Sequence, residues 1–471
     1  MATTPPDAQE RETAPHTSPS LGAKTTPNEA PVAPPTVKLD RANPEFLAGA
    51  HAIYSGLRAQ GPVVRVSFGS NLTEKARAAG APEHQAQGAS GDEWLFVTRY
   101  DEVTEALLDE RIASDFRTGM TPAQSERAVA AMPEEFRPIA HSLIMLDPPD
   151  HTRLRKLVQP NFTARAMDAL KPRIQRLVDE LLDKAERAAA ERGETAPERR
   201  MEFVEAFAYP LPVQVISDLL GIPVEDQPQV HVWAERFLQS DPQQYMTNQA
   251  ARAGMMDFTR YLEGLFERKR REPTEDMISQ MVHAQEDGDR LSSQELLSMV
   301  FILFIAGHIT TVNLLGNGVV ALLKHPEQHA RFLADPAGMA KGMVEETLRY
   351  WGPVDFLGSP RIVKEDLELG GVHIPKGSKL SVGLASANWD PQRFENPDAY
   401  DISRPDAHRN IAFGKGIHVC IGAPLARLEA QIAFETLFRR FPKLRLAESA
   451  DSLRLGVGAA MRGFKHIPVL F

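Results

Sequence analysis

Phe413-Gly-Lys-Gly-Ile-His-Val-Cys420-Ile-Gly422-Ala-Pro-Leu-Ala-Arg427 holds the only cysteine in the 471-residue chain. Downstream, Leu425, Leu428, Ile432 and Leu437 recur at helical spacing, and Pro424 suits a first helical turn. Cys420 therefore sits just before a helix N-terminus, where free backbone N–H groups and the helix dipole favour a thiolate. Gly414, Gly416 and Gly422 remove side chains on both sides, which lets something flat and bulky approach the backbone. A thiolate held by amide donors in a glycine-lined pocket suits a haem iron as its proximal ligand. A solitary cysteine is more often a small buried hydrophobe, so the surrounding string decides.

That string is similar to the haem-binding loop of the cytochrome P450 family, Phe-Gly-x-Gly-x-His-x-Cys-x-Gly, and matches it at every fixed position. The resemblance runs roughly from Asn43 to the C-terminus. It implies haem b (iron protoporphyrin IX) as cofactor, Cys420 as the iron ligand, and Phe413, Gly414 and Gly422 against the haem. Glu346-Thr-Leu-Arg349 resembles the family's Glu-x-x-Arg motif, which alone would be an ordinary i,i+3 ion pair. Phe394-Glu-Asn-Pro397-Asp-Ala-Tyr400-Asp-Ile-Ser-Arg404 resembles the meander that adds Arg404, and the implied role of the three is structural. In Asp147-Pro-Pro-Asp-His151-Thr-Arg-Leu-Arg155, His151 and Arg155 are four apart and share one helical face. Arginine binds carboxylates through paired donors, and the resemblance implies that His151, Arg155, Arg361 and His418 contact the haem propionates.

Ser292 and Glu295 make a capping box ahead of a helix that is apolar nearly all round from Leu296 to Ile305, as expected for a helix through the core. It continues Ala306-Gly-His-Ile-Thr310-Thr. A glycine inside a helix costs about 1 kcal/mol relative to alanine. The resemblance explains it by a helix that opens there beside the iron, with the Thr310 hydroxyl assisting proton delivery. Ile309 departs from the pattern, which places Asp or Glu there to relay protons. His308 points about 100° away on a helix, so it does not substitute directly; protons are expected through ordered water or a substrate hydroxyl.

The remaining features fit a mainly α protein with a smaller β part (α+β), with the haem between the long central helix and the cysteine-loop helix. Val63–Val66 and Trp94–Val97 read as strands. Helical periodicity marks Val103–Glu110, Ala164–Arg192, Gln249–Arg271, Ser293–Leu323, Ala340–Tyr350 and Pro424–Phe441, and a strand-rich patch covers Arg361–Leu384. Residues 1–40 carry eight prolines and few large apolar side chains, so a disordered leader is expected. Residues 41–471 are expected to form a single domain, with a surface insertion at 69–92.

Lys plus Arg total 53 against 63 Asp plus Glu, a net charge of −10, which argues against a dedicated nucleic-acid binder. The apolar stretch Met299–Ala306 is short against the roughly 20 residues a bilayer crossing needs, and no secretory signal is visible, so a soluble cytoplasmic protein is expected.

By resemblance, Ala306, Val354, Phe356 and Leu357 line the distal pocket. Their apolar character suits a lipophilic small molecule: a fatty acid, terpenoid, steroid or polyketide. No flavin or iron–sulfur segment follows the cysteine helix, so electrons are expected from a separate ferredoxin and its NAD(P)H-dependent reductase. A basic patch of Arg153, Lys156, Arg439 and Arg440 is the expected docking surface. The leading expectation is a haem-thiolate monooxygenase; a peroxide-driven peroxygenase and a non-catalytic haem ligand-binding protein are the alternatives.

Overall fold

The computed structural model describes residues 36–39, 49–68, 93–238, 248–286, 289–456 and 460–471. The helices that bear on the site are α1 (Ala50–Gln60), α2 (Asp150–Val158), α3 (Ala164–Glu191), α4 (Pro210–Leu220), α5 (Ser293–Lys324), α6 (Pro336–Trp351) and α7 (Ala423–Arg440). The protein is mainly helical with a smaller β part. Helix α6 starts four residues before its apolar periodicity, because the Asp335 carboxylate accepts the Gly338 N–H and Pro336 fills the first turn.

The capping box at Ser292 and Glu295 forms as the sequence indicates. From there α5 runs through the core, packed on α4, α6 and α7. By length and composition α5 is apolar enough to cross a membrane, well beyond what Met299–Ala306 alone suggests. However, 61% of its most apolar window is buried in the protein, which makes it a core helix.

One six-stranded sheet lies beside the helices. Its strands are β1 (Thr36–Leu39), β2 (Val63–Phe68), β3 (Glu93–Val97), β4 (Ile112–Ala113), β5 (Arg361–Val363) and β6 (Lys379–Val382), in the order β1-β2-β3-β6-β5-β4. Strand β1 pairs in parallel with β2, Val37 opposite Val66. Strand β1 falls within the leader expected over residues 1–40; Val37 finds apolar partners around Tyr54 and Phe96 that the proline-rich composition conceals. The rest of the expected leader and the 69–92 insertion lie outside the described residues.

Behind the cysteine helix, Glu346 receives both arms of a guanidinium: Arg349 Nη2 donates to Oε1 at 2.7 Å and Nε to Oε2 at 2.8 Å. Arg404 Nε approaches the same carboxylate at 3.1 Å. Glu346 and Arg349 are fully buried, and their remaining donors and acceptors are used. Arg349 binds the carbonyls of Asn388, Pro397 and Ala399, and Arg404 those of Glu395, Asn396 and Ala399. Removing one member of a buried charge pair costs about 3–5 kcal/mol because the other is left unpaired. Arg349→Met should lose stability on that scale in thermal unfolding followed by haem absorbance, and an unchanged melting temperature would contradict the assignment.

Candidate active site

The cysteine loop is built by backbone conformation. Gly414 and Gly416 have φ of +70° and +73°, in the left-handed region, and a Cβ on Gly416 would lie 2.5 Å from the Leu107 carbonyl oxygen. Gly422 has ordinary φ and room for a Cβ, 3.9 Å from the Cys420 sulfur. The first two glycines thus shape the loop itself, rather than simply clearing space beside it. The Cys420 N–H donates to the Phe413 carbonyl at 2.9 Å and closes the turn. From α2, Arg155 donates to the carbonyls of Ile417 at 3.0 Å and Val419 at 2.9 Å, bracing the loop from outside. Arg427 sits 4.6 Å over the Phe413 ring and pairs with Glu345 of α6 at 2.6 Å.

Cys420 is exposed to a cavity of about 310 Å³. The protein packed around that cavity desolvates the sulfur and pushes its thiol up, against the pull of the Gly422 and Ala423 amides and of Arg155 and Arg427. The thiolate-favouring donors expected at the helix N-terminus are present, yet dry surroundings outweigh them in the net direction.

Ala306, Thr310, Val354 and Leu357 line the same cavity, with Phe413, Gly414 and Gly422 on the cysteine side. Phe356 does not. It is buried in the sheet cluster, its ring 5.8 Å from Phe96 in an edge-on contact. In the bent segment 353–357, Val354 and Leu357 line the cavity while Asp355 and Phe356 are buried behind it. Resemblance alone gave no direction to these side chains.

The central helix is continuous through Gly307, so the expected opening is absent. Thr310 Oγ1 donates to the Ala306 carbonyl at 2.8 Å and Thr311 Oγ1 to the Gly307 carbonyl at 3.2 Å. A Cβ on Gly307 would sit 3.3 Å from Ile216 Cδ1, so this glycine lets α4 pack closely. His308 is fully buried away from the cavity lining, its Nδ1–H donating to the Phe304 carbonyl at 2.7 Å. Burial holds its pKa at about 4, so it is neutral at physiological pH.

At one end of the cavity stand His151, Arg155, Arg361 and His418. The two imidazoles are 4.3 Å apart, and neither ring nitrogen of the buried His151 has a hydrogen-bond partner among the described residues. Burial, with His418 and Arg155 nearby, holds His151 at about 4. Asp147, 3.7 Å from His418 Nε2, is held at about 2: burial works against this, but His418 and the amides of Ser114 and Asp115 outweigh it. Orphaned imidazole nitrogens beside two guanidiniums suit the carboxylates of a bound group, while the sulfur suits its metal. The donor set fits haem, with Cys420 as the residue that would hold the iron and these four at the propionates.

The expected basic docking patch is not a field of free charge. Arg153 pairs with Glu295, Arg439 with Glu435 at 3.0 Å, and Arg440 with Asp183 and Glu186.

A sulfur ligand opposite a long core helix, with cations grouped for two carboxylates, defines a haem-thiolate protein. The cytochrome P450 family model matches residues 92–335 and 339–453, and this chain belongs to that family. Cytochrome P450 107B1 of Saccharopolyspora erythraea is 43% identical over 379 residues, covering 80% of this chain and 89% of its own. The bacillaene polyketide synthase cytochrome P450 PksS of Bacillus subtilis 168 superposes with a TM-score of 0.77 at 33% identity, covering 92% of this chain and 99% of that one. Myxobacterial cytochrome P450 CYP267B1, solved with myristic acid, gives 0.77 at 37% identity, covering 91% and 98%. The protein is a cytochrome P450 monooxygenase with haem b as cofactor.

Glu429 also lines the cavity and was missed from sequence. It stands four residues after Leu425 on the apolar face of α7, so helical periodicity could have flagged it. It is 2% exposed, Oε2 has no partner among the described residues, and burial raises its pKa from 4.5 to about 8. The folded protein therefore keeps a proton that the unfolded chain releases near 4.5, and stability falls as pH rises toward 8. Glu429→Gln should leave stability at about pH 5 unchanged and raise it by on the order of 3 kcal/mol near pH 9, measured by denaturant unfolding. Equal pH dependence in parent and variant would contradict a neutral Glu429.

Proposed function

We propose that the protein inserts one oxygen atom from O2 into a lipophilic substrate of polyketide or fatty-acid type. Electrons come from a separate ferredoxin and its NAD(P)H-dependent reductase. The observation that carries this reading is the distal wall. Leu143, Ile216, Ile302, Ala306, Val354 and Leu357 present apolar surface, and among the described residues of this wall the polar groups are the hydroxyls of Thr310 and Thr311. Such a wall selects by burial and shape and offers few groups to orient a polar ligand. Among the relatives, PksS is the cytochrome P450 of a bacillaene polyketide synthase, and CYP267B1 was solved with a fatty acid bound. A polyketide and a fatty acid both suit this wall.

Haem supplies oxygen activation when bound; the protein's part is to ligate, orient and keep the site dry. Cys420 would hold the iron through its sulfur, and His151, Arg155, Arg361 and His418 would hold the propionates. Thr310 assists proton delivery: its hydroxyl proton is given to the Ala306 carbonyl, and its oxygen still accepts a hydrogen bond from water or a substrate hydroxyl.

The reduced carbon-monoxide difference spectrum should show the long-wavelength band of thiolate-ligated haem. Substrate-induced spin-shift titrations should then bind a macrolactone or a long-chain fatty acid at least about tenfold tighter than a small terpenoid ketone, a difference of about 1.4 kcal/mol. Equal affinities would refute the substrate class.

Ile309 favours a second reading, a peroxide-driven peroxygenase, because no carboxylate precedes Thr310. Under the monooxygenase reading, Ile309→Glu supplies a relay and raises product formed per released peroxide in the reductase-driven assay, by less than the factor of about 10²–10⁴ that a positioned acid–base group contributes to rate. A ratio that does not move would remove Ile309 from any account of proton delivery.

A further inference from the structure

The cavity wall at Val354 and Leu357 is held from behind by a buried charge pair. Asp355 lies between the two wall residues, and its carboxylate takes a bidentate grip from Arg462, Nε to Oδ1 at 3.1 Å and Nη2 to Oδ2 at 3.0 Å. The Tyr54 hydroxyl of α1 donates to Oδ2 at 3.2 Å. Asp355 is 1% exposed and Arg462 5%. The backbones of the two segments are laced as well. The Asp355 N–H donates to Ala460 and the Arg462 N–H to Pro353, with Val354 bridged to Met461. On its far side the Arg462 carbonyl accepts Asn317 Nδ2 of α5 at 3.1 Å, so the clamp reaches the helix that forms the opposite wall.

An ion pair buried to this degree is weak evidence for stability, since apolar side chains of similar size do as well or better. What it supplies is direction. A slip of the segment by one residue would put Asp355 in the place of Val354, which lines the cavity. Here such a slip would bring the Asp355 carboxylate into an apolar cavity, whereas the guanidinium fork admits only one placement of the carboxylate.

We propose that Asp355, Arg462 and Tyr54 form a specificity-determining clamp that positions Val354 and Leu357 as the substrate-facing wall. The proposal rests on the reading above that this wall selects lipophilic ligands by shape. The three are positioning residues; none lines the cavity.

Two variants of the holoprotein test it, Arg462→Lys and Tyr54→Phe. Arg462→Lys keeps the charge but loses the fork; Tyr54→Phe keeps both charges and the ring and removes only the hydroxyl donor to Asp355. The probes are imidazole, which reaches the iron without leaning on the wall, and the bulky triaryl azole clotrimazole, which must fit against it. Both are read by the spectral shift on nitrogen ligation. Arg462→Lys should weaken clotrimazole by about tenfold while imidazole moves by less than about twofold, and Tyr54→Phe should change the ratio in the same direction by about threefold. A loss shared equally by both probes would mark a merely structural role and overturn the proposal, as would a ratio unchanged in both variants. Azole nitrogens bind the iron whatever the natural substrate. A wild-type protein indifferent to macrolactones and fatty acids would therefore sink the substrate class without touching this result.

Discussion

Glu346 is a carboxylate with no exposed surface, and the structure around the sulfur depends on how it is satisfied. Two guanidiniums converge on it, and each is itself fixed by main-chain carbonyls of the irregular segment 388–404. A segment with few regular hydrogen bonds of its own is thereby given a single shape. From it the constraint passes forward. The Asn388 side chain accepts the Ile411 N–H at 2.8 Å, and Asn410 reaches Glu345, the residue beside Glu346. Glu345 also holds Arg427, whose guanidinium covers Phe413. The loop that presents Cys420 is thus anchored at both ends to helix α6.

The two sides of the cavity are made by different physics. On the sulfur side, position is set by polar contacts: Arg155 on the carbonyls of Ile417 and Val419, the Cys420 amide on Phe413, and two glycines in left-handed conformation. Along helix α5, on the opposite side, position comes from packing. Ile216 of α4 lies against Gly307, and the Thr310 and Thr311 hydroxyls are turned onto their own helix. Thr310 and Thr311 keep the helix intact while leaving their oxygens as acceptors.

What the sequence disclosed follows the range of the interactions involved. The cysteine loop, the capping box and the long helices are local, carried by turn glycines, N-terminal caps and apolar periodicity, so they were legible. Strand β1 was not, because Thr36–Leu39 pairs only with a distant β2 and lies within proline-rich composition. The orientation of Phe356 was equally hidden. Its side is decided by Phe96 and Tyr54, hundreds of residues away, and by Asp355 choosing Arg462. The ion pairing within the basic patch was hidden for a related reason: Arg440 is basic in sequence, but the acids it pairs with come from the remote helix α3.

The distribution of titratable groups around the cavity makes shape the remaining basis of selection. Among the described lining residues charge is carried by Arg155 and Arg361, beside the two imidazoles and with Asp147 close by, and by Lys415 of the cysteine loop. Elsewhere burial has neutralised what the sequence supplies: Glu429 keeps its proton to about pH 8, and His308 is neutral above about pH 4 and faces away. Beside Thr310, where a carboxylate would have created a fixed negative pole, Ile309 adds only a hydrocarbon. A ligand against the distal wall therefore meets no charged group among the described wall residues and gains affinity in proportion to the apolar surface it buries. Under that constraint small displacements of Val354 or Leu357 change which ligands fit, which is why a buried ion pair directly behind them has consequences that its contribution to stability would not suggest.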